Sequence, residues 1–180
     1  TIADLIQYRT MNERTVERLS ECHWPTLHGD FRLITFQDTI DEGVHFALVK
    51  GDPEKGLPTL VRVHVSDALA DLMEQQRGDV SSWSLNRAIE RVAEESEGVI
   101  VIINNEESKE ALLRRVSRFE EEDQGIDAPR KATGDALRKV GIDSQILAEL
   151  GVQKMRLLSP KKKYHALAGF NLEVVEYITD

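Results

Sequence analysis

The residues with the most chemical potential stand in two short segments, Arg62-Val63-His64-Val65-Ser66-Asp67 and Arg77-Gly78-Asp79-Val80. An imidazole at His64 with carboxylates at Asp67 and Asp79 is a donor set for a hard cation such as Mg or Mn. The simpler reading, which we prefer, is two solvated acids in a loop beside a strand histidine. Thiolate chemistry has one candidate: Cys22 is the only cysteine, and it lies in the N-terminal region, far from both segments. The same count excludes an intrachain disulfide framework and suits a reducing cytoplasm, the expected location. His28 and His45 read as polar strand or turn residues rather than ligands.

These segments need a scaffold, and the composition supplies one. The 180 residues suit one domain with appended segments, and 41% apolar with 31% charged residues marks a globular chain rather than a disordered one. No apolar run approaches the ~20 residues of a membrane span, so no membrane partner is expected. A net charge of -9 argues against a general nucleic-acid binder, so nucleic acid is not an expected partner either. The acidic runs Glu94-Glu95 and Glu120-Glu121-Glu122-Asp123 read as solvated helix faces.

Residues 1–24 read as a helix and a tether, with Ile2, Leu5 and Ile6 at helical spacing, Asp4 in the first turn, and a polar run continuing into Val16 and Leu19. From Pro25 the pattern turns to short strands at 31–36, 44–49 and 60–65, separated by the turn signals His28-Gly29-Asp30, Asp41-Glu42-Gly43 and Gly51-Asp52-Pro53. Those runs predict an antiparallel sheet. The second half alternates. A stripe at Leu85, Ile89 and Val92 predicts a helix over 84–95, and the wholly apolar run Val99–Ile103 predicts a buried parallel strand. A helix at 106–122, short helices at 144–150 and 162–168, and strands at 154–158 and 172–177 complete an α+β arrangement with a parallel βα portion.

One ordered stretch is more specific than any of these patterns. It is Leu137-Arg138-Lys139-Val140-Gly141-Ile142-Asp143-Ser144-Gln145-Ile146-Leu147, followed by Leu150-Gly151-Val152 and Met155-Arg156-Leu157-Leu158. With Pro25–Phe31 and Asp123-Gln124-Gly125-Ile126-Asp127, it makes residues 25–180 resemble GTP cyclohydrolase II, the zinc enzyme that opens the imidazole ring of GTP at the start of riboflavin synthesis. The opening Thr1–Arg9 is similar to the segment closing 3,4-dihydroxy-2-butanone 4-phosphate synthase, a lyase often fused ahead of the cyclohydrolase. The resemblance therefore implies an upstream synthase domain in the same chain, tethered through residues 1–24. It also implies a fold with an N-terminal antiparallel β portion followed by a βα portion with parallel strands.

The resemblance also assigns roles. In that family three thiolates hold the zinc, within Arg-Val-His-Ser-Glu-Cys and Arg-Cys-Asp-Cys-Gly segments; the ligand positions fall here on Asp67, Gly78 and Val80. Zinc supplies the nucleophile by lowering the pKa of its bound water to about 7, so the change implies lost chemistry. The family's proton acceptor falls on Ala136, and the neighbouring Asp135 is rotated about 100° around a helix. Its arginine nucleophile matches Arg138, which is kept. Its Glu-Gly-Arg phosphate contact falls on Glu107-Ser108-Lys109, and its Thr-Asn-Asn-Pro-Lys-Lys loop is shortened to Ser159-Pro160-Lys161-Lys162.

Arg62, His64, Ser159 and Lys162, with Arg138, are candidates for a weak, vestigial anion or nucleotide pocket. The plainer expectation is that Arg62 and Arg138 make surface salt bridges and 161–163 form a solvated turn, because loose basic residues bind phosphate poorly without an organised donor nest. We therefore expect a catalytically inactive domain with no cofactor and no metal. Its expected task is structural or regulatory for the attached synthase, and it is expected to act as a homodimer. The rivals are residual or altered cyclohydrolase action on GTP, and a nucleotide or flavin sensor.

Overall fold

The computed structural model describes residues 1–53, 57–78, 83–126, 135–161 and 170–180. Its elements run α1 (Ile2–Asn12), β1 (Val16–Thr26), β2 (Gly29–Asp38), β3 (Val44–Lys50), β4 (Thr59–Val65), α2 (Ala68–Met73), α3 (Leu85–Ala93), β5 (Gly98–Ile103), α4 (Lys109–Asp123), α5 (Asp135–Glu149), β6 (Lys154–Leu158) and β7 (Glu173–Ile178). One seven-stranded sheet takes the order β1-β2-β3-β5-β4-β6-β7. Strands β1, β2, β3 and β5 pair antiparallel, and β4 lies parallel to β5 and β6, which in turn lies parallel to β7.

The sheet is covered on both faces, which follows from the two-residue alternation of its strands. Val61, Val99 and Val101 face a core shared with Ile142, Ile146 and Leu147 of α5. Leu60 and Ile100 face the other way, onto Trp83 and the Ala88 and Val92 of α3. Gly98 lets α3 come close, since a Cβ there would lie 2.6 Å from Val92 Cγ1. Ser84 caps α3, its hydroxyl accepting from the Arg87 amide at 3.3 Å.

Several expectations need correction. Residues 16–24 are not a tether: they form most of β1, hydrogen-bonded to β2 from Val16 to Thr26, so the division expected at 24/25 falls inside a strand. The signal was missing because residues 17–25 are exposed on both faces and so carry no apolar alternation. Strand β4 joins the parallel half of the sheet, not the antiparallel one. The helix expected at 144–150 starts at Asp135, and α2 was not anticipated. The helix expected at 162–168 lies outside the described residues.

Candidate functional site

Strand β4 carries Arg62 and His64 on one face, two residues apart. Arg62 is buried, with Nη1 donating to the Leu158 carbonyl at 2.9 Å and Nη2 to the Trp83 carbonyl at 2.7 Å. The Trp83 indole then donates to the Ile178 carbonyl at 2.8 Å. The rigid guanidinium fork thus ties β4 to the end of β6 and to the segment before α3, and through Trp83 to the end of β7. The surface salt bridge expected for Arg62 is not what the fold makes of it. Arg87 closes the same corner, lying 5.6 Å over the Trp83 ring and pairing with Asp180 at 2.6 Å.

His64 opens a second network. Its Nε2 lies 2.8 Å from Asp71 Oδ1, and Asp71 Oδ2 accepts the Asp67 amide at 2.9 Å. Asp67 is the N-cap of α2, accepting from the Leu69 amide at 2.9 Å and the Ala70 amide at 3.1 Å. Both its oxygens also meet the Arg115 guanidinium of α4, at 2.6 and 3.1 Å, and Arg115 reaches Glu107 at 3.0 Å. Burial lowers the His64 pKa below 6.5 despite the opposing pull of Asp71, so this imidazole is neutral near pH 7. At Asp67 burial raises the pKa, but the Arg115 bond and the α2 amides together bring it below 3.8. The bond to Asp67 raises the Arg115 pKa in turn.

The other expected positions are more scattered. Ser159 is buried beside Leu158, its hydroxyl donating to the Pro160 carbonyl at 2.9 Å and its amide to the Leu157 and Ile178 carbonyls at 3.0 Å each. Ser108 is the N-cap of α4, and Lys109 starts that helix in solvent. Gly78 sits in an exposed loop with φ of +83° and nothing within 4 Å of where a Cβ would be. Cys22 is exposed on β1, at the sheet edge farthest from β4 on that side. Ala136 and Arg138 lie in the first part of α5, where only the backbone is described. Asp79, Val80 and Lys162 lie outside the described residues. Among the described residues no group of three or more His, Cys, Asp or Glu side chains is placed to hold a metal.

The structure thus brings Arg62 to Ser159 through the Leu158 carbonyl, and His64 to Asp67 through Asp71. Three partners were absent from the sequence reading: Asp71, Arg115 and Trp83. Asp71 had a usable signal, because an Asp followed by Ala-Leu-Ala-Asp is close to a reciprocal capping pattern. Arg115 and Trp83 had none, being far along the chain from the residues they serve.

The chain is an α+β domain built on a single mixed sheet, with buried polar side chains on and after its parallel strands. Residues 17–179 match the family described as GTP cyclohydrolase II, and the chain belongs to that family. It is 45% identical to "3,4-dihydroxy-2-butanone 4-phosphate synthase" of Pseudomonas syringae pv. tomato, over 99% of this chain and 47% of the relative. It is 35% identical to "Riboflavin biosynthesis protein RibBA" of Chlorobium phaeovibrioides, over 99% of this chain and 44% of the relative. Among solved structures it is similar to RibBX of A. baumannii, described as a two-domain 3,4-dihydroxy-2-butanone 4-phosphate synthase, with a TM-score of 0.68 and 35% identity over all of this chain and 45% of that one. The chain spans about half the length of the curated relatives it matches. Among the described residues no helix is long and apolar enough to cross a membrane.

Proposed function

We propose that this chain is a GTP cyclohydrolase II-type module that has lost its metal chemistry and serves a 3,4-dihydroxy-2-butanone 4-phosphate synthase as a structural or regulatory partner. One observation carries the reading. Asp67, at the first ligand position implied by the family, caps α2 and binds Arg115 through both oxygens. Gly78, at the second, has no side-chain donor, and Val80, at the third, has an apolar one. These residues do not fit a zinc ion, which needs three protein side chains able to coordinate it. Arg62 and Ser159 likewise bond to carbonyls of their own fold rather than standing ready for a phosphate.

The relatives whose names are synthases give the reading its setting, and the half of each that this chain does not span is where a synthase domain would lie. Pairing of two such modules would raise the effective concentration of the synthase halves attached to them. Metal analysis of the dialysed chain is expected to find no stoichiometric zinc, and GTP is expected to yield no formate. About one zinc per chain, or turnover near 1 per second, would overturn the reading. Its positive half is tested by the synthase activity of a two-domain parent with and without this module, which is expected to fall on removal.

A further inference from the structure

A cavity of about 190 Å³ opens between the β1–β2 hairpin, the turn after β3 and the last turn of α5. It lies at the end of the sheet away from His64: Val49 on its floor pairs with Val99 at the start of β5, whereas His64 pairs with Ile102 near the end of that strand. The floor is apolar, with Ile34 and Val49 buried and Pro53 and Leu150 beside them. The charged lining is sorted by sign. Arg18 and Arg32 stand on the hairpin, and Asp52 and Glu149 on the turn and the helix.

The arginines share that face because β1 is irregular. Its register with β2 slips between Arg18 and Ser20, leaving Leu19 as an extra residue. Residues three apart in a regular strand point to opposite faces. The bulge instead sets Arg18 opposite Phe36 and Glu21 opposite Ile34, on the face that also carries Arg32. Glu21 serves both arginines, its Oε1 accepting from Arg32 at 3.1 Å and its Oε2 from Arg18. Arg32 is used further, donating to the Gly51 carbonyl at 3.0 Å. Arg18 makes no other hydrogen bond among the described residues, which leaves most of its guanidinium donors for the cavity. The acidic side is underused as well. The Asp52 side chain is 96% exposed with one contact, to Arg32 at 3.4 Å, and Glu149 gives a single oxygen to Arg14 at 2.5 Å. The last turn of α5 has no basic residue, and its carbonyl end adds negative potential on the same side.

We propose that this cavity binds a small zwitterion, with a carboxylate held by Arg18, an ammonium held by Glu149 and Asp52, and a short chain lying on Ile34, Val49 and Leu150. The sorting of charge carries the inference. A plain anion would face Asp52 and Glu149 across the cavity, and a plain cation would face the arginines; only a ligand with both ends satisfies both sides. The volume falls below the ~300 Å³ at which drug-sized sites begin, so the ligand has only a few carbons. The proposal is independent of the non-catalytic reading, because none of the residues at the family's zinc positions takes part.

Nuclear magnetic resonance titration of the whole chain in low salt tests it with three probes of one chain length: δ-aminovalerate, valerate and pentylamine. The zwitterion is expected to move the amide signals of Arg18, Ile34, Val49 and Leu150 with a Kd on the order of 1 mM, and each single-charge probe to bind roughly tenfold more weakly. Arg18→Gln and Glu149→Gln are each expected to weaken δ-aminovalerate roughly tenfold. Both residues sit in partly solvated ion pairs, so the fold is kept, and unchanged signals elsewhere verify that. If Arg18→Gln disturbs the hairpin, Glu149→Gln, on a different element, still decides. No shift at those amides with tens of millimolar δ-aminovalerate, a single-charge probe binding as tightly as the zwitterion, or a folded Glu149→Gln chain binding like the wild type would each overturn the proposal. Bound zinc or GTP turnover would remove the non-catalytic reading and leave this site standing.

Discussion

Helices α4 and α5 are both 15 residues long, and the chain treats them in opposite ways. From Gly141 to Leu147 every residue of α5 is buried, and Ile146 is fully enclosed against the sheet. Even its polar side chains are put to use: Gln145 Oε1 accepts the Thr15 amide at 2.7 Å and the Val16 amide at 3.0 Å, fastening the start of β1. Helix α4 has no fully buried residue: Ala111, Leu112 and Phe119 are half-buried, and charged contacts fasten the rest. The difference separates two kinds of order. Apolar burial is not screened by salt and scales with area, while contacts between charged groups are screened and local. One helix is part of the core. The other is a surface that the core presents.

The sharpest way to break this contrast is in α5. Ile146→Ala removes a fully enclosed side chain and is expected to cost about 2–5 kcal/mol, read as a lower urea midpoint with an unchanged slope. A cost near that of an exposed position would mean that α5 is not core.

Asp143 gives the next largest effect. Burial pushes its pKa from 3.8 up to about 7, against the opposing bonds from the Ser144 amide and hydroxyl. The folded state therefore holds this proton more tightly than the unfolded one. The pH-dependent cost of burying Asp143 is absent below pH 3.8 and grows as pH rises to about 7. His64 works the other way: its lowered pKa supports the fold above pH 6.5, and that support erodes as pH falls below it. Asp143→Asn is expected to raise the urea midpoint at pH 8 while changing it little at pH 4. Equal shifts at the two pH values would exclude Asp143 as the titrating group.

How much of this was legible follows from burial too. Ser84 with the Leu85, Ile89 and Val92 stripe announced α3 because an N-cap and a buried face coincide there. The apolar run of β5 announced a central strand because both its faces are covered. β1 was hidden because residues 17–25 meet solvent on both sides, and α2, at six residues, is too short to show a period. The polar site was the least legible. The type of Arg62 suggested a ligand for an anion, and only the fold shows its fork filled by the carbonyls of Leu158 and Trp83.

The smallest expected effect sharpens the other half of the contrast. Arg115→Ala is expected to loosen α4 without unfolding the sheet, costing about 1 kcal/mol or less in the global midpoint, because the pair is partly solvated. Hydrogen exchange should then speed at the α4 amides and leave α5 unchanged, and strong salt acting on the wild type should do the same. Protection of α4 equal to that of α5 in either condition would erase the distinction between them.

The sheet order has a consequence for how the chain is made. β4 is central and apolar, yet β6, the strand that closes its second edge, consists of residues 154–158. During synthesis β4 emerges first, and residues 66–153 must follow before that edge can be covered. At ordinary elongation rates the delay is roughly 5–20 s. For that time the nascent chain shows a bare strand edge at Thr59, Leu60 and Val61, the residues that later pair with Met155, Arg156 and Leu157. An open apolar edge is a template for unwanted pairing, so β4 is the strand whose protection depends most on the late arrival of β6.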